Sequence, residues 1–297
     1  MIGLVNREAA MVRRFGTVLA MACFVPHSAS LATGCGDYKN KTVVSLQFAE
    51  AAASLPNIEP KSEFETTAAY NARVADAVKK TPSTLSIERA PNKDYLKYDA
   101  DNRVMVVSTF AFSNEAFYWS SALASYKDPA GKEVGLSGNI GAVVTQKQQI
   151  VGEYDATTMM GAKFSVSKIV SETTAIYDRR RDCSSVAIWD CGDLFPRNKI
   201  PNPYEFHDAA KTVEYQGTIG RIPLSPDAAK ALKADAKLIF VVHPRPPFLI
   251  SGTHRPYKTS LDNPRDITEK YDVMIGSIEC GLVADDAGKV YGAYSTK

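Results

Sequence analysis

Three kinds of side chain in this 297-residue chain could do chemistry: its five cysteines, its four histidines and a run of three arginines. The cysteines are Cys23, Cys35, Cys183, Cys191 and Cys280. Cys23 sits inside an apolar N-terminal run and is lost if that run is removed. The other four form an even set, which in a chain that folds in an oxidising compartment reads as two disulfides. Nearness in sequence favours Cys183–Cys191 and leaves Cys35–Cys280, tying the start of the mature chain to a late strand. Loop entropy assigns the short bridge about 2.5 kcal/mol and the long one nominally about 5 kcal/mol. Residual structure in the unfolded chain lowers the second figure. A zinc centre is the rival use of four thiols. It needs close pairs such as C-x2-C, and the closest pair here is C-x7-C. No metal and no cofactor is expected.

His207, His243 and His254 lie beyond the N-terminal run. His243 closes an apolar segment and His254 follows eleven residues later, so a hairpin between them would bring the imidazoles together. Ser251 and Asp262 then supply a nucleophile and an orienting carboxylate. Any chain of this length offers such sets, and strand-end polar residues with local hydrogen bonds are the simpler reading. A hydrolase using His243 or His254 is therefore the second hypothesis. Stronger signatures are missing from the sequence. There is no G-x-S-x-G and no H-E-x-x-H, and the G-L-S-G-N-I-G stretch at 135–141 has neither dinucleotide spacing nor a phosphate-loop Lys-Ser/Thr. Asp99-Ala100-Asp101-Asn102-Arg103 puts an arginine where calcium needs an oxygen, so it reads as a hairpin turn. Asp285-Asp286-Ala287-Gly288 reads the same way.

Arg179, Arg180 and Arg181 are flanked by Asp178 and Asp182, a local charge of +1 for which a solvated loop is the default. They open a stretch, 178–208, with little regular pattern, three prolines and the Cys183–Cys191 pair around Trp189. Long patternless segments in compact domains are commonly functional or held by a staple. The candidate binding surface is thus Arg179, Arg180 and Arg181 meeting an anionic partner, with Trp189 as apolar anchor.

Where the chain folds is written in Met11 to Cys35. Arg13 and Arg14 precede an apolar run from Phe15 to Val25, then Pro26 and a tract of small residues. That order describes a secretory signal peptide, assigned to 1–34. Its apolar run, about 11 residues, is short against the roughly 20 needed to span a bilayer core. Cleavage after Ser30-Leu31-Ala32 gives a mature chain from Thr33, periplasmic or secreted. Ala32-Thr33-Gly34-Cys35 instead resembles a lipoprotein box that lacks its usual leucine, with a lipid anchor at Cys35. A lipidated Cys35 and a Cys35–Cys280 bridge exclude one another. The chain is 45% apolar and 23% charged, with a net charge of +2. Near-balance argues against a nucleic-acid partner, which calls for a basic surface. No other apolar run is long enough for a transmembrane helix. The partner expected is an unknown component of the cell envelope, bound without catalysis.

The elements that must position these residues are mostly strands. Ser62 and Glu65 form a capping-box pattern that predicts a helix over about 62–80, with Phe64, Ala68, Val74, Ala75 and Val78 on its inner face. Ser225-Pro226 predicts a second over about 225–233. Two-residue alternation predicts strands at 42–48, 84–90, 95–98, 103–112, 142–154, 163–177 and 213–223. The run Leu238–Val242 predicts a buried strand, 248–253 another, and 271–294 a terminal hairpin. The fold class is α+β, mainly antiparallel sheet with two short packed helices. Two β-rich halves, 35–177 and 209–297, meet across 178–208, or run together as one continuous domain. The segment Phe64-Glu65-Thr66-Thr67-Ala68-Ala69-Tyr70-Asn71-Ala72-Arg73, followed by Tyr98-Asp99-Ala100-Asp101, resembles an F-E-x-T-x-x-Y-x-x-R helix and Y-D-A-D hairpin of uncharacterised exported bacterial proteins. The likeness covers about 50 of 297 residues. It implies a bacterial, exported protein and brings no catalytic residue with it.

Overall fold

The computed structural model describes residues 34–108, 111–112, 125–128, 131–135, 141–178, 195, 218–256 and 258–296. The leader, Arg179, Arg180, Arg181, Cys183, Trp189, Cys191 and His207 lie outside the described residues. In chain order the strands are β1 (Leu85–Arg89), β2 (Leu96–Asp99), β3 (Val104–Ser108), β4 (Ser125–Lys127), β5 (Glu133–Gly135), β6 (Gly141–Thr157), β7 (Lys163–Asp178), β8 (Thr218–Pro223), β9 (Lys237–His254), β10 (Arg265–Ala284) and β11 (Val290–Ser295). The helices are α1 (Phe48–Ala53), α2 (Thr67–Lys80) and α3 (Pro226–Asp235). This is an α+β fold dominated by antiparallel sheet.

The main sheet has the order β1-β9-β10-β7-β6, with β11 on the far end of β10. Every pairing is antiparallel except β7 with β10, which is parallel. It draws β6 and β7 from before residue 178 and β9 to β11 from after 218. A smaller sheet, β2-β3-β8, and a β4-β5 ribbon complete the strands among the described residues.

Burial explains the sheet's centre. Leu238, Ile239, Phe240, Val241 and Val242 are all fully buried, as a strand covered on both faces must be. Leu238, Phe240 and Val242 enter the large core with Phe112, Phe195, Ile278 and Met274. Ile239 and Val241 face the other way, onto Cys35, Cys280, Leu282 and Val290. Each such side chain contributes about 1.5–3 kcal/mol by leaving water. Gly281 lets the aromatics close in, since a Cβ there would lie 2.4 Å from Phe195 and 2.8 Å from Phe112.

The disulfide joins Cys35 to Cys280, with Cα atoms 5.7 Å apart. It clasps the first described turn, Cys35–Tyr38, to β10. The sulfur that a lipid anchor would require is engaged in this bridge.

The helices depart from their expected places in instructive ways. Thr42–Phe48 is not a strand but makes two isolated bridges, Thr42 with Lys289 and Leu46 with Ile87. The alanines after it form α1, whose capping box is Gln47 and Glu50 rather than a Ser or Thr. α2 starts at Thr67, because Thr66 Oγ1 accepts from the Ala69 amide at 3.1 Å. Ser62 instead accepts from the Phe64 amide, and Glu65 pairs with Arg73 at 2.9 Å. Phe64 therefore precedes the helix and is 90% exposed. The inward face is Tyr70, Val74 and Ala77, since burying one tyrosine ring removes more apolar surface than burying Ala68 and Ala75. α3 is capped by Ser225 and buries Ala229 and Leu232. The two segments expected at 238–242 and 248–253 are one strand, β9. β3 is shorter than its apolar run, its register slipping between Val107 and Ser108.

The β6–β7 hairpin reaches beyond the core. Residues 146–153 are exposed on both sheet faces, and Met159 and Met160 at its turn are bare. Inside the core, the Tyr294 hydroxyl is buried with no hydrogen-bond partner among the described residues, and burial pushes its pKa up. Gly220 and Gly292 make room for that ring.

Two measurements check these points. Replacing both Cys35 and Cys280 with alanine should lower unfolding free energy in urea by about 2–5 kcal/mol, since a closed loop of the unfolded chain is opened. Tyr294→Phe should leave stability unchanged or raise it by about 1 kcal/mol, because it deletes an unsatisfied buried hydroxyl; a loss above that would mean the hydroxyl has a partner.

Candidate functional site

A polar constellation lies where α1 crosses the distal part of the main sheet. Two rungs of cross-strand neighbours form its floor. In one, Lys147 of β6 stands opposite Glu172 of β7, which stands opposite Lys270 of β10. In the next, Thr145, Thr174, Asp272 and Ser251 stand in line across four strands. The rungs are two residues apart on every strand, so both face the same way. Gln47, Phe48, Ala49 and Ala52 of the α1 segment complete a groove of about 610 Å³.

The floor is internally bonded. The Ser251 hydroxyl donates to Asp272 Oδ1 at 2.6 Å, the Thr145 and Thr174 hydroxyls lie 2.8 Å apart, and Lys270 Nζ lies 3.5 Å from Glu172 Oε1. Such opposite-charge cross-strand pairs contribute about 0.2–1 kcal/mol each. Lys147 forms no ion pair among the described residues.

A second cleft of about 770 Å³ shares Gln47, Thr145 and Lys147 and runs past the end of β1 toward α3. Lys237 there is flanked by Glu88 at 3.3 Å and Asp286 at 3.2 Å. Glu88 also accepts from Ser45 and Gln47. Arg89 is held differently. Its Nη1 donates to the Val143 carbonyl at 2.9 Å, where the β6 register slips between Val143 and Thr145, and its Nε donates to the Ala90 carbonyl at 3.3 Å. Desolvation pulls its pKa down to about 10.

His243 and His254 do not meet. Both lie on β9, and their partners on β10, Ser277 and Glu269, are eight residues apart. At ~3.3 Å per residue that is roughly 26 Å. Ser251 is bonded to Asp272 and Asp262 is exposed in the β9–β10 connection, so the Ser251, His243 and Asp262 set is not assembled. His243 does have a carboxylate: its Nε2 lies 2.9 Å from Glu279 Oε2. Its Nδ1 lies 2.8 Å from the Ser83 carbonyl and 3.3 Å from the Thr84 hydroxyl. A slip in register between Ile278 and Cys280 leaves Glu279 as the extra residue of β10 there.

Among the described residues, one group of ligand-type side chains converges: Cys35, Glu279 and Cys280. The two sulfurs are bonded to each other, which removes both thiolates a metal would need. No described helix is long and apolar enough to cross a membrane.

The groove leaves no motif in the sequence, because its residues span 47 to 272. The available signal was polar pairs at two-residue spacing inside strands: Thr145 with Lys147, Glu172 with Thr174, and Lys270 with Asp272. Compared with protein-family models, curated proteins and solved structures, the chain matches none.

His243→Ala should cost about 1–3 kcal/mol in thermal or urea unfolding, since it strips partners from the Ser83 carbonyl and from Glu279. An unchanged midpoint would mean that His243 ties nothing together.

Proposed function

We propose that the chain is an exported protein of the bacterial envelope that acts by binding, without covalent chemistry, and that the groove beneath α1 is its ligand site. The observation that carries this is the two-rung polar floor under an apolar helix: few convergent polar groups beneath apolar walls are the usual makeup of a ligand pocket. The leader assigned to 1–34 supports export, and a disulfide between Cys35 and Cys280 fits an oxidising compartment, periplasmic or extracellular. The segment 178–208, with Arg179, Arg180, Arg181 and Trp189, is proposed as a second contact for a larger envelope partner.

A hydrolase built on His243 is the second reading. It draws on the Glu279–His243–Thr84 line, which has the order of acid, base and nucleophile. Against it, the Ser83 carbonyl is nearer than Thr84 to the nitrogen that would take the hydroxyl proton.

Native mass spectrometry of protein incubated with envelope extract tests the first reading. A small molecule should stay bound to the parent and be at least tenfold depleted in Ala52→Trp, which fills the groove while sparing its charges. Equal retention by Ala52→Trp counts against the groove. Loss only in Arg180→Glu or Trp189→Ala moves the site to 178–208. Cleavage of generic esters, peptides or glycans by the parent and not by His243→Ala would favour the hydrolase.

A further inference from the structure

We propose that the cleft between β1, β6 and α3 binds an organic carboxylate, with the Arg89 guanidinium as its anchor and Lys147 as a second cation. This goes beyond the groove beneath α1: the cleft is a separate site that adjoins it and shares Gln47, Thr145 and Lys147 with it. A guanidinium has five N–H donors. Arg89 uses two, and both go to main-chain carbonyls, which carry no charge. No carboxylate of the described residues pairs with it. A cation removed from water without a counter-charge is costly, and an anion that enters offsets that cost. The desolvation that lowers the Arg89 pKa is the same condition seen from the proton's side.

The neighbouring charges select the kind of anion. Lys237 is already neutralised by Glu88 and Asp286. Lys93 donates to the Ala234 carbonyl at the end of α3, at 2.8 Å. Lys147 lies at the boundary with the groove and has no ion pair among the described residues. The cleft lining holds four cations (Arg89, Lys93, Lys147 and Lys237) against three carboxylates (Glu88, Asp235 and Asp286), an excess of one. That balance suits a single negative charge. A phosphate dianion would leave surplus negative charge beside those three carboxylates. The planar fork of arginine matches a carboxylate with two parallel hydrogen bonds. Arg89 is also fixed in place, since β1 pairs with β9 through Arg89 opposite Leu238 and the side chain is clamped on Val143.

The simpler role, a clamp on the Val143 carbonyl alone, predicts no ligand effect, so titration separates the two. The folded parent is titrated with glucuronate, glucose and inorganic phosphate, followed by calorimetry or by amide chemical shifts. Glucuronate should bind in the millimolar range, with glucose and phosphate at least tenfold weaker. Arg89→Gln should weaken glucuronate at least tenfold, and Arg89→Lys nearly as much, since it keeps the charge and loses the fork. Lys147→Gln, a change at an exposed position, should weaken it about threefold. The proposal is overturned if the parent does not bind glucuronate, if phosphate binds more tightly, or if glucuronate affinity is the same in Arg89→Lys and Lys147→Gln as in the parent. A ligand that Ala52→Trp displaces but that ignores both cations would sink this inference and leave the binding reading standing.

Discussion

The structure depends on the pairing of β9 with β10. Along this one antiparallel interface two strands are buried on both faces, through Leu238–Val242 and through Ile278 and Cys280–Ala284. Its consequences spread outward in both directions. One end fixes the disulfide, the terminal hairpin and His243 beside Glu279. The other carries Ser251 opposite Asp272, and through β7 and β6 it sets the rungs of the groove floor. A slip of one residue there would turn every charged floor residue to the opposite face.

Charge is distributed along the sheet according to how much water it keeps. Lys147, Glu172 and Lys270 lie where the sheet is thinly covered, and they alternate in sign. Deeper, near β1, Arg89 is desolvated and bonded to carbonyls. β6, the last strand of the main sheet among the described residues, is interrupted twice, between Val143 and Thr145 and between Ile150 and Gly152, and carries Lys147, Glu153 and Asp155. Interrupted, charged edges are poor templates for pairing with another chain.

What could be read from the sequence was what neighbouring residues decide. Ser225-Pro226 announced α3 because cap and first turn are adjacent in the chain. Leu238–Val242 announced a buried strand because apolar continuity is local. The start of α2 was ambiguous because Ser62 and Thr66 are both capable caps, and only the docking of Tyr70 chooses between them. α1, at six residues, is too short to hold together by itself. Its formation depends on Phe48 and Ala51 reaching a core made by residues far away. The groove was illegible for the same reason: Glu172 and Lys270 become neighbours only through a parallel pairing across roughly a hundred residues, and register between distant strands leaves no mark in composition. β6 and β7 were legible as two strands, since alternation along each is local.

The bridge between Cys35 and Cys280 closes a separation of 245 residues. A chain made from its amino end produces Cys35 long before Cys280, with Cys183 and Cys191 appearing in between. From the making of Cys183 until Cys280 emerges, Cys35 has the wrong mates within reach and not the right one. Oxidation that runs ahead of the ribosome would join it to one of them, and the native link could then be recovered only by exchange among sulfurs. The order of the cysteines thus makes correct assembly a matter of timing as well as of shape.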